Sequence, residues 1–299
     1  MRLLFKILGG LVALILVLVA AVYAASTVKH GKRFAIPETV PVIPTDSASI
    51  ARGRHFATAI GKCVPCHRDD LGGEQMIPGG PFARGAAANL TTGRGGIGGA
   101  RSDTQLVSAI RHGVSGDGRP LYIMPSEFYN RLSDDVVAAI VAYIRSVPPV
   151  DREYPPSTLG PLGRALLVAG QLKGFMAAFD IDHAGPRDPT PPAGPSAEYG
   201  AYLAIVGGCK ACHGPTLSGG VIPGGPPVPT PPPNITPEGL KAYDEAAFFR
   251  ALREGKRPDG SAIDTTGMPI PMTKLMTDDE TRALWVYLQS VPPKPFGGR

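Results

Sequence analysis

Charge is scarce in this sequence. Asp, Glu, Lys and Arg make up 18% of its 299 residues, below the ~25% usual in soluble domains. This argues against a charge-rich disordered chain, and the glycine and proline content argues against a long coiled coil. No run of alternating strands stands out, so a sheet-based fold is not expected. The formal net charge is +5, but no Lys/Arg-rich run and no nucleic-acid motif accompany it, so no nucleic-acid partner is expected. There are only four cysteines, Cys63, Cys66, Cys209 and Cys212. They fall in two close pairs, and the spacing decides what they mean.

Glycine and proline are abundant instead, at 38 and 33 residues. They predict short helices joined by long loops, and such loops need something other than themselves to organise the interior. The stretch Ile7–Ala25 is apolar, with Arg2 and Lys6 before it and Lys29, Lys32 and Arg33 after it. A span of ~20 apolar residues crosses a bilayer as a helix, whereas a signal-peptide core is usually ~7–15. Residues 1–28 are therefore read as an uncleaved anchor; the competing reading is a signal peptide cut near Ala24. The flanking charges do not fix the orientation.

Cys63-Val64-Pro65-Cys66-His67 and Cys209-Lys210-Ala211-Cys212-His213 are both C-x-x-C-H. The pattern reads as covalent c-type haem attachment. Two thiols add to the two vinyl groups of one porphyrin, and the adjacent histidine becomes an axial iron ligand. A thioredoxin-like pair would follow a strand of a βαβ unit, and none is visible. A four-cysteine zinc site would need the pairs close in space, and 146 residues separate Cys63 from Cys209. Attachment at this motif occurs outside the cytoplasm, which places the haem-bearing part in the periplasm.

The repeat extends beyond these motifs. Ile77-Pro78-Gly79-Gly80-Pro81 recurs at 222–226, Asn89-Leu90-Thr91 as Asn234-Ile235-Thr236, Asp117-Gly118 as Asp259-Gly260, and Met124-Pro125 as Met268-Pro269. Both halves end in Ser-Val-Pro-Pro, at Ser146 and Ser290. Helices are predicted from near Ser47, from Asp103 to Gly113, from Ser133 to before Pro148, from Asp244 to Gly255, and from Thr277 to Ser290. Thr277 and Glu280 form a capping box. Gly53 and Gly200 are expected to let the first helix of each half approach the last.

Methionine on the second face of a c-type haem raises its potential. The repeat registers Met124 with Met268, which makes them the expected distal ligands of His67 and His213. Met272 and Met276 align with Phe128 and Leu132 and read as packing residues. His30, His55, His112 and His183 have no repeat counterparts and read as surface or core. Ligating histidines usually donate their other N–H to a carbonyl, and Pro78 and Pro223 are the expected acceptors. Asn89 and Asn234 are read equally as propionate ligands or as loop braces.

These residues together resemble the membrane-anchored dihaem cytochromes c, built from two class I cytochrome c domains. The chain is similar to the cytochrome subunits of periplasmic alcohol, sugar and aldehyde dehydrogenases. The resemblance covers residues 47–295. It departs from that family in having two haem motifs where many members have three, and Ile97-Gly98-Gly99 where a tryptophan often stands. It implies an all-α protein: a transmembrane helix at 1–28, a linker at 29–46, cytochrome c domains at 47–150 and 196–295, and a connector at 151–195 with an amphipathic helix running through Leu159 to Phe179.

The expected function is electron relay by two covalently bound c-type haems rather than enzymatic catalysis. The chain would sit in a bacterial inner membrane with a single N-terminal pass. Its expected partners are a respiratory dehydrogenase or quinol-linked donor on one side and a terminal oxidase or soluble cytochrome on the other. The alternative is a dihaem cytochrome c peroxidase, which would need one iron with an open position.

Overall fold

In the computed structural model, residues 1–36, 41–172, 174–185, 189–222, 230–265 and 267–298 are described. The chain divides into two compact units. The first comprises Met1–Thr39, Asp70–Glu127 and Pro148–His183; the second comprises Val40–Asp69, Phe128–Val147 and Ala184–Arg299.

In the first unit, helix α1 (Arg2–His30) is 29 residues long, or about 43 Å at 1.5 Å per residue. Its mean hydropathy reaches 2.8, so by length and composition it can cross a membrane. The expectation of a wholly helical protein needs correction here. Strands β1 (Glu74–Pro78) and β2 (Ala83–Ala87) form an antiparallel hairpin, and β3 (Thr158–Leu159) pairs with β2. The hairpin turns through Gly79 and Gly80, whose φ angles are +133° and +105°, a region that side chains resist. Strands this short, with proline and glycine inside them, carry no readable alternation.

The predicted connector helix is also shorter than expected. It spans only Pro161–Val168, numbered α7 below; a left-handed turn follows at Gly170 (φ +71°) and a short 3₁₀ turn at Ala177–Phe179. Leu159, Leu167 and Met176 bury against Ala83, with Phe82, Tyr122 and Phe175 packed around them. The connector thus shares a core with the hairpin.

The other helices follow from their caps. Asp46 accepts from the Ser49 N–H at 2.9 Å and starts α2 (Ser47–His55). A π-helical turn, Phe56–Ile60, leads from α2 to α3 (Val64–His67). Helix α4 (Asp103–His112) starts at the residue expected and is capped by Ser102 in a box with Gln105. A short α5 (Ser126–Tyr129) precedes α6 (Asp134–Ser146), whose residues Val136–Ile144 are all buried. In the second half, Ser196 caps α8 (Ala197–Val206), α9 is Cys209–His213, and Asp244 caps α10 (Glu245–Glu254). Helix α11 (Ile270–Thr273) precedes α12 (Asp278–Ser290), where Thr277 and Glu280 form the predicted box.

Within the second unit, α2 packs on α6 and α8 packs on α12. A Cβ on Gly53 would lie 1.8 Å from the Ala139 carbonyl oxygen, and one on Gly200 would lie 2.0 Å from that of Ala283. Both glycines therefore permit the helix contact expected of them. The duplication extends to the backbone. Left-handed φ angles recur at Lys62 and Gly208 (+52°, +69°), Arg68 and Gly214 (+64°, +81°), Leu71 and Leu217 (+54°, +63°), and Gly113 and Gly255 (+63°, +66°). Lysine, arginine and leucine rarely adopt such angles, so the local frame must impose them.

Candidate haem-attachment site

The attachment geometry is best seen in the second half, where all the candidate residues belong to one unit. Gly208, in the left-handed conformation, turns the chain into α9. This five-residue helix carries Cys209, Cys212 and His213, and residues three and four apart on a helix share a face. Gly214 (φ +81°) turns the chain away directly after the histidine. Burial pushes the Cys63 thiol up to about 12 and raises those of Cys66 and Cys209. Among the described residues, no group of three or more His, Cys, Asp or Glu side chains is arranged to hold a metal. Paired thiols beside a single histidine fit a porphyrin, which supplies four iron ligands itself.

His213 is buried, and its Nδ1–H donates to the Pro233 carbonyl at 2.8 Å. That bond fixes the ring orientation, and in the neutral imidazole it leaves the lone pair on Nε2. At His213 the acceptor is Pro233, in place of the Pro223 expected for this half. Pro223 lies outside the described residues, and Pro78 closes β1 opposite Arg84. Pro233 stands twenty residues after the histidine, and its place beside Asn234 was the only hint of it in the sequence.

The asparagines are loop braces. Asn234 donates to the Lys294 carbonyl at 2.7 Å and accepts from the Thr236 N–H and hydroxyl at 2.9 and 2.8 Å. Asn89 repeats this, donating to Val150 O at 2.7 Å and accepting from Thr91 at 3.0 and 2.8 Å. Each one ties the middle loop of its half to the segment after Ser-Val-Pro-Pro.

Met268 is half-buried at the start of a tight turn. Its carbonyl accepts from the Ile270 N–H at 2.7 Å, with Pro269 at φ −76°, ψ 58°, an inverse γ-turn. Met276 is buried in the core, as its alignment with Leu132 implied. In the first half, the Met124 carbonyl accepts from Ser126 N at 2.8 Å, the same i to i+2 bond. Met124 belongs to the first unit, whereas Cys63, Cys66 and His67 belong to the second.

One relationship was not expected from the sequence. Lys62, directly before Cys63, extends its ammonium to the Gly207 carbonyl at 2.5 Å, two residues before Cys209. Burial lowers its pKa, and the nearby Cys209 and Cys212 oppose that shift. Tyr129 donates to the Gly61 carbonyl, and a Cβ on Gly208 would lie 3.5 Å from the Phe128 ring. The two C-x-x-C-H segments are therefore neighbours in the second unit although 146 residues apart in sequence, so that separation does not itself exclude a shared zinc; among the described residues, no three His, Cys, Asp or Glu side chains come together to hold one.

Comparison with known proteins agrees with this chemistry. Residues 197–292 match the cytochrome c family model. The chain is 30% identical to the fructose dehydrogenase cytochrome subunit of Gluconobacter japonicus, over 87% of this chain and 57% of that protein. It is 28% identical to the cytochrome c subunit of the quinone alcohol dehydrogenase of Gluconacetobacter polyoxogenes, covering 84% of this chain and 57% of the relative. It is also 28% identical to a subunit of the nicotinate dehydrogenase of Pseudomonas putida, covering 86% of this chain and 23% of the relative. The chain thus spans little more than half the length of the first of these relatives. Residues 197–292 form a cytochrome c domain, which implies a covalently bound c-type haem, and the chain is homologous to cytochrome c subunits of quinone-linked dehydrogenases.

Proposed function

We propose that the chain is a membrane-anchored dihaem c-type cytochrome. It would relay single electrons between a dehydrogenase partner or quinol-linked donor and an acceptor, a terminal oxidase or a soluble cytochrome. Its haem domains, residues 47–150 and 196–295, stand in the periplasm, with α1 as the anchor. Cys63 and Cys66 would hold one porphyrin and Cys209 and Cys212 the other. His67 and His213 are the proximal iron ligands, and repeat register assigns Met124 and Met268 as the distal ones. The bound haem supplies a one-electron Fe(III)/Fe(II) couple. The protein's part is to fix the imidazole through Pro233 O, keep the thioether-bearing helices in place and limit water at the site.

The Lys62–Gly207 contact carries this reading. It joins the two attachment segments in one packed unit, as a relay through two centres requires. Filling both axial positions leaves no place for peroxide, and the relatives are dehydrogenase cytochrome subunits, so the peroxidase alternative is not favoured.

The test is the purified, detergent-solubilised protein. Intact mass should exceed that of the polypeptide by two haems, and electron paramagnetic resonance should show two low-spin irons that substrate reduces through the co-purified dehydrogenase. One haem per chain, or a stable five-coordinate high-spin iron, overturns the relay.

A further inference from the structure

Helix α7 is an exposed helix with almost nothing polar in it. Its sequence, Pro161-Leu-Gly-Arg-Ala-Leu-Leu-Val168, has one polar side chain, Arg164. That side chain is turned toward α1: its Nη1 donates to Ser26 Oγ at 3.0 Å and Thr27 Oγ1 at 3.3 Å, and its guanidinium lies 4.9 Å from the Tyr23 ring centre. Lys29 of α1 reciprocates by donating to the Leu167 carbonyl at 2.9 Å. A second side of α7 packs inward. Leu167 is buried with Leu159 and Met176, and a Cβ on Gly163 would lie 2.2 Å from the Phe82 carbonyl oxygen. The side left over bears Leu162, Ala165 and Val168, with Leu162 49% and Val168 39% exposed.

A helix on a water-facing surface ordinarily carries polar residues on its outer side. Here that side is apolar, and the helix is fastened to the last turns of an apolar 29-residue helix. Tyr23 and Arg164 are the residue types that settle at the headgroup level, with an apolar body and a polar tip. We infer that α7 lies in the membrane interface, with its Leu162–Ala165–Val168 side in the acyl boundary of the leaflet that α1 leaves at Tyr23. The occupant of the face is phospholipid. The connector is then a second, monotopic contact with the bilayer, which would hold the hairpin unit against the membrane instead of leaving it on a free tether. The inference rests on the reading of α1 as a membrane span.

The test uses the full-length, reduced holoprotein in phosphatidylcholine–phosphatidylglycerol vesicles. Single cysteines are introduced by Leu162→Cys, Ala165→Cys or Val168→Cys, with Val19→Cys in the span and exposed Asp134→Cys as references, and each is labelled with a nitroxide. Collision with oxygen and with a water-soluble nickel chelate is measured by power saturation. Labels at 162, 165 and 168 should collide with nickel several-fold less than the label at 134 and should favour oxygen, as the label at 19 does. Nickel access at 162, 165 and 168 equal to that at 134, with 19 in lipid, overturns the inference and leaves the anchor standing. Nickel access at 19 overturns the anchor and the inference together. Shielding of 162 and 168 that arises only when the dehydrogenase is added also overturns it, in favour of a protein partner on that face.

Discussion

His55, the last residue of α2, places Nε2 2.9 Å from each carboxylate oxygen of Glu280, in the first turn of α12. The first half of the repeat thus meets the second through a charge pair, and Glu280 also accepts from the Thr277 N–H at 2.8 Å. The hydrogen bond to Glu280 raises the His55 pKa. Burial opposes the shift at Glu280, but bonds from His55 and Thr277 leave its pKa lowered. The raised histidine contributes stability in full below its ordinary value near 6.5, and loses it as pH climbs through the raised value. The lowered glutamate contributes above its ordinary value near 4.5, and loses it as pH falls through the lowered one.

The pair is therefore worth most between those ordinary values. His55→Ala is expected to cost about 1.5–3 kcal/mol at pH 6, the range for a hydrogen bond to a charged group, and distinctly less at pH 9. Chemical denaturation of the holoprotein at both pH values measures this. A cost independent of pH removes the charge pair from the account.

The glycine pair gives a sharper steric expectation. The Ala139 carbonyl oxygen lies 1.8 Å from the place of a Cβ at residue 53, so Gly53→Ala must push α2 off α6. The cost should be about 3 kcal/mol or more, the upper part of the range for overpacking. Gly200→Ala should behave alike against Ala283. Gly99→Ala meets nothing nearer than 3.9 Å and should stay within about 0.5 kcal/mol of the parent. Thermal melts of the three variants compare these outcomes directly.

Much of this arrangement was legible in the sequence because the chain states it twice. Asp244, Thr277 and the closing glycines Gly113 and Gly255 announce helix ends by local chemistry, and they lie where that chemistry puts them. Gly53 and Gly200 gained meaning from being equivalent. The features without a signal in the sequence are non-local or too short. The β1–β2 hairpin has too few residues to show a period. His55 has no repeat counterpart, and Glu280 was already explained as a cap, so neither pointed at the other. Lys62 and Gly207 belong to different halves, and nothing in the spacing of either motif says that they touch.

The asparagine braces predict a loop phenotype. Asn234→Ala leaves the Lys294 carbonyl and the Thr236 donors without their shared partner in a buried place. Each orphaned group costs roughly 1–3 kcal/mol, so a loss of about 2–4 kcal/mol is expected in urea unfolding. Asn234→Asp keeps the acceptor but loses the donor, and should fall between. If the asparagine held a propionate instead, its removal would shift a haem potential and leave the unfolding midpoint nearly unchanged.

On the proposed dihaem reading, the distal ligand of the second haem is one of two methionines four residues apart, Met268 and Met272. Met268 is held by the γ-turn through Pro269 and is half-buried, whereas Met272 sits within α11. A turn closed by a 2.7 Å bond from Ile270 to the Met268 carbonyl fixes the backbone that presents the thioether. Losing a thioether ligand lowers the potential of the iron and opens its sixth position. Met268→Ala should therefore convert one of two low-spin irons to high spin and lower one midpoint potential, leaving the other unmoved. Met272→Ala should leave both spectra and both potentials as in the parent. Paramagnetic resonance and a redox titration of each variant decide the matter. If Met272→Ala opens the iron and Met268→Ala does not, the repeat register has been read one helical turn too early, and the ligand lies on α11 rather than before it.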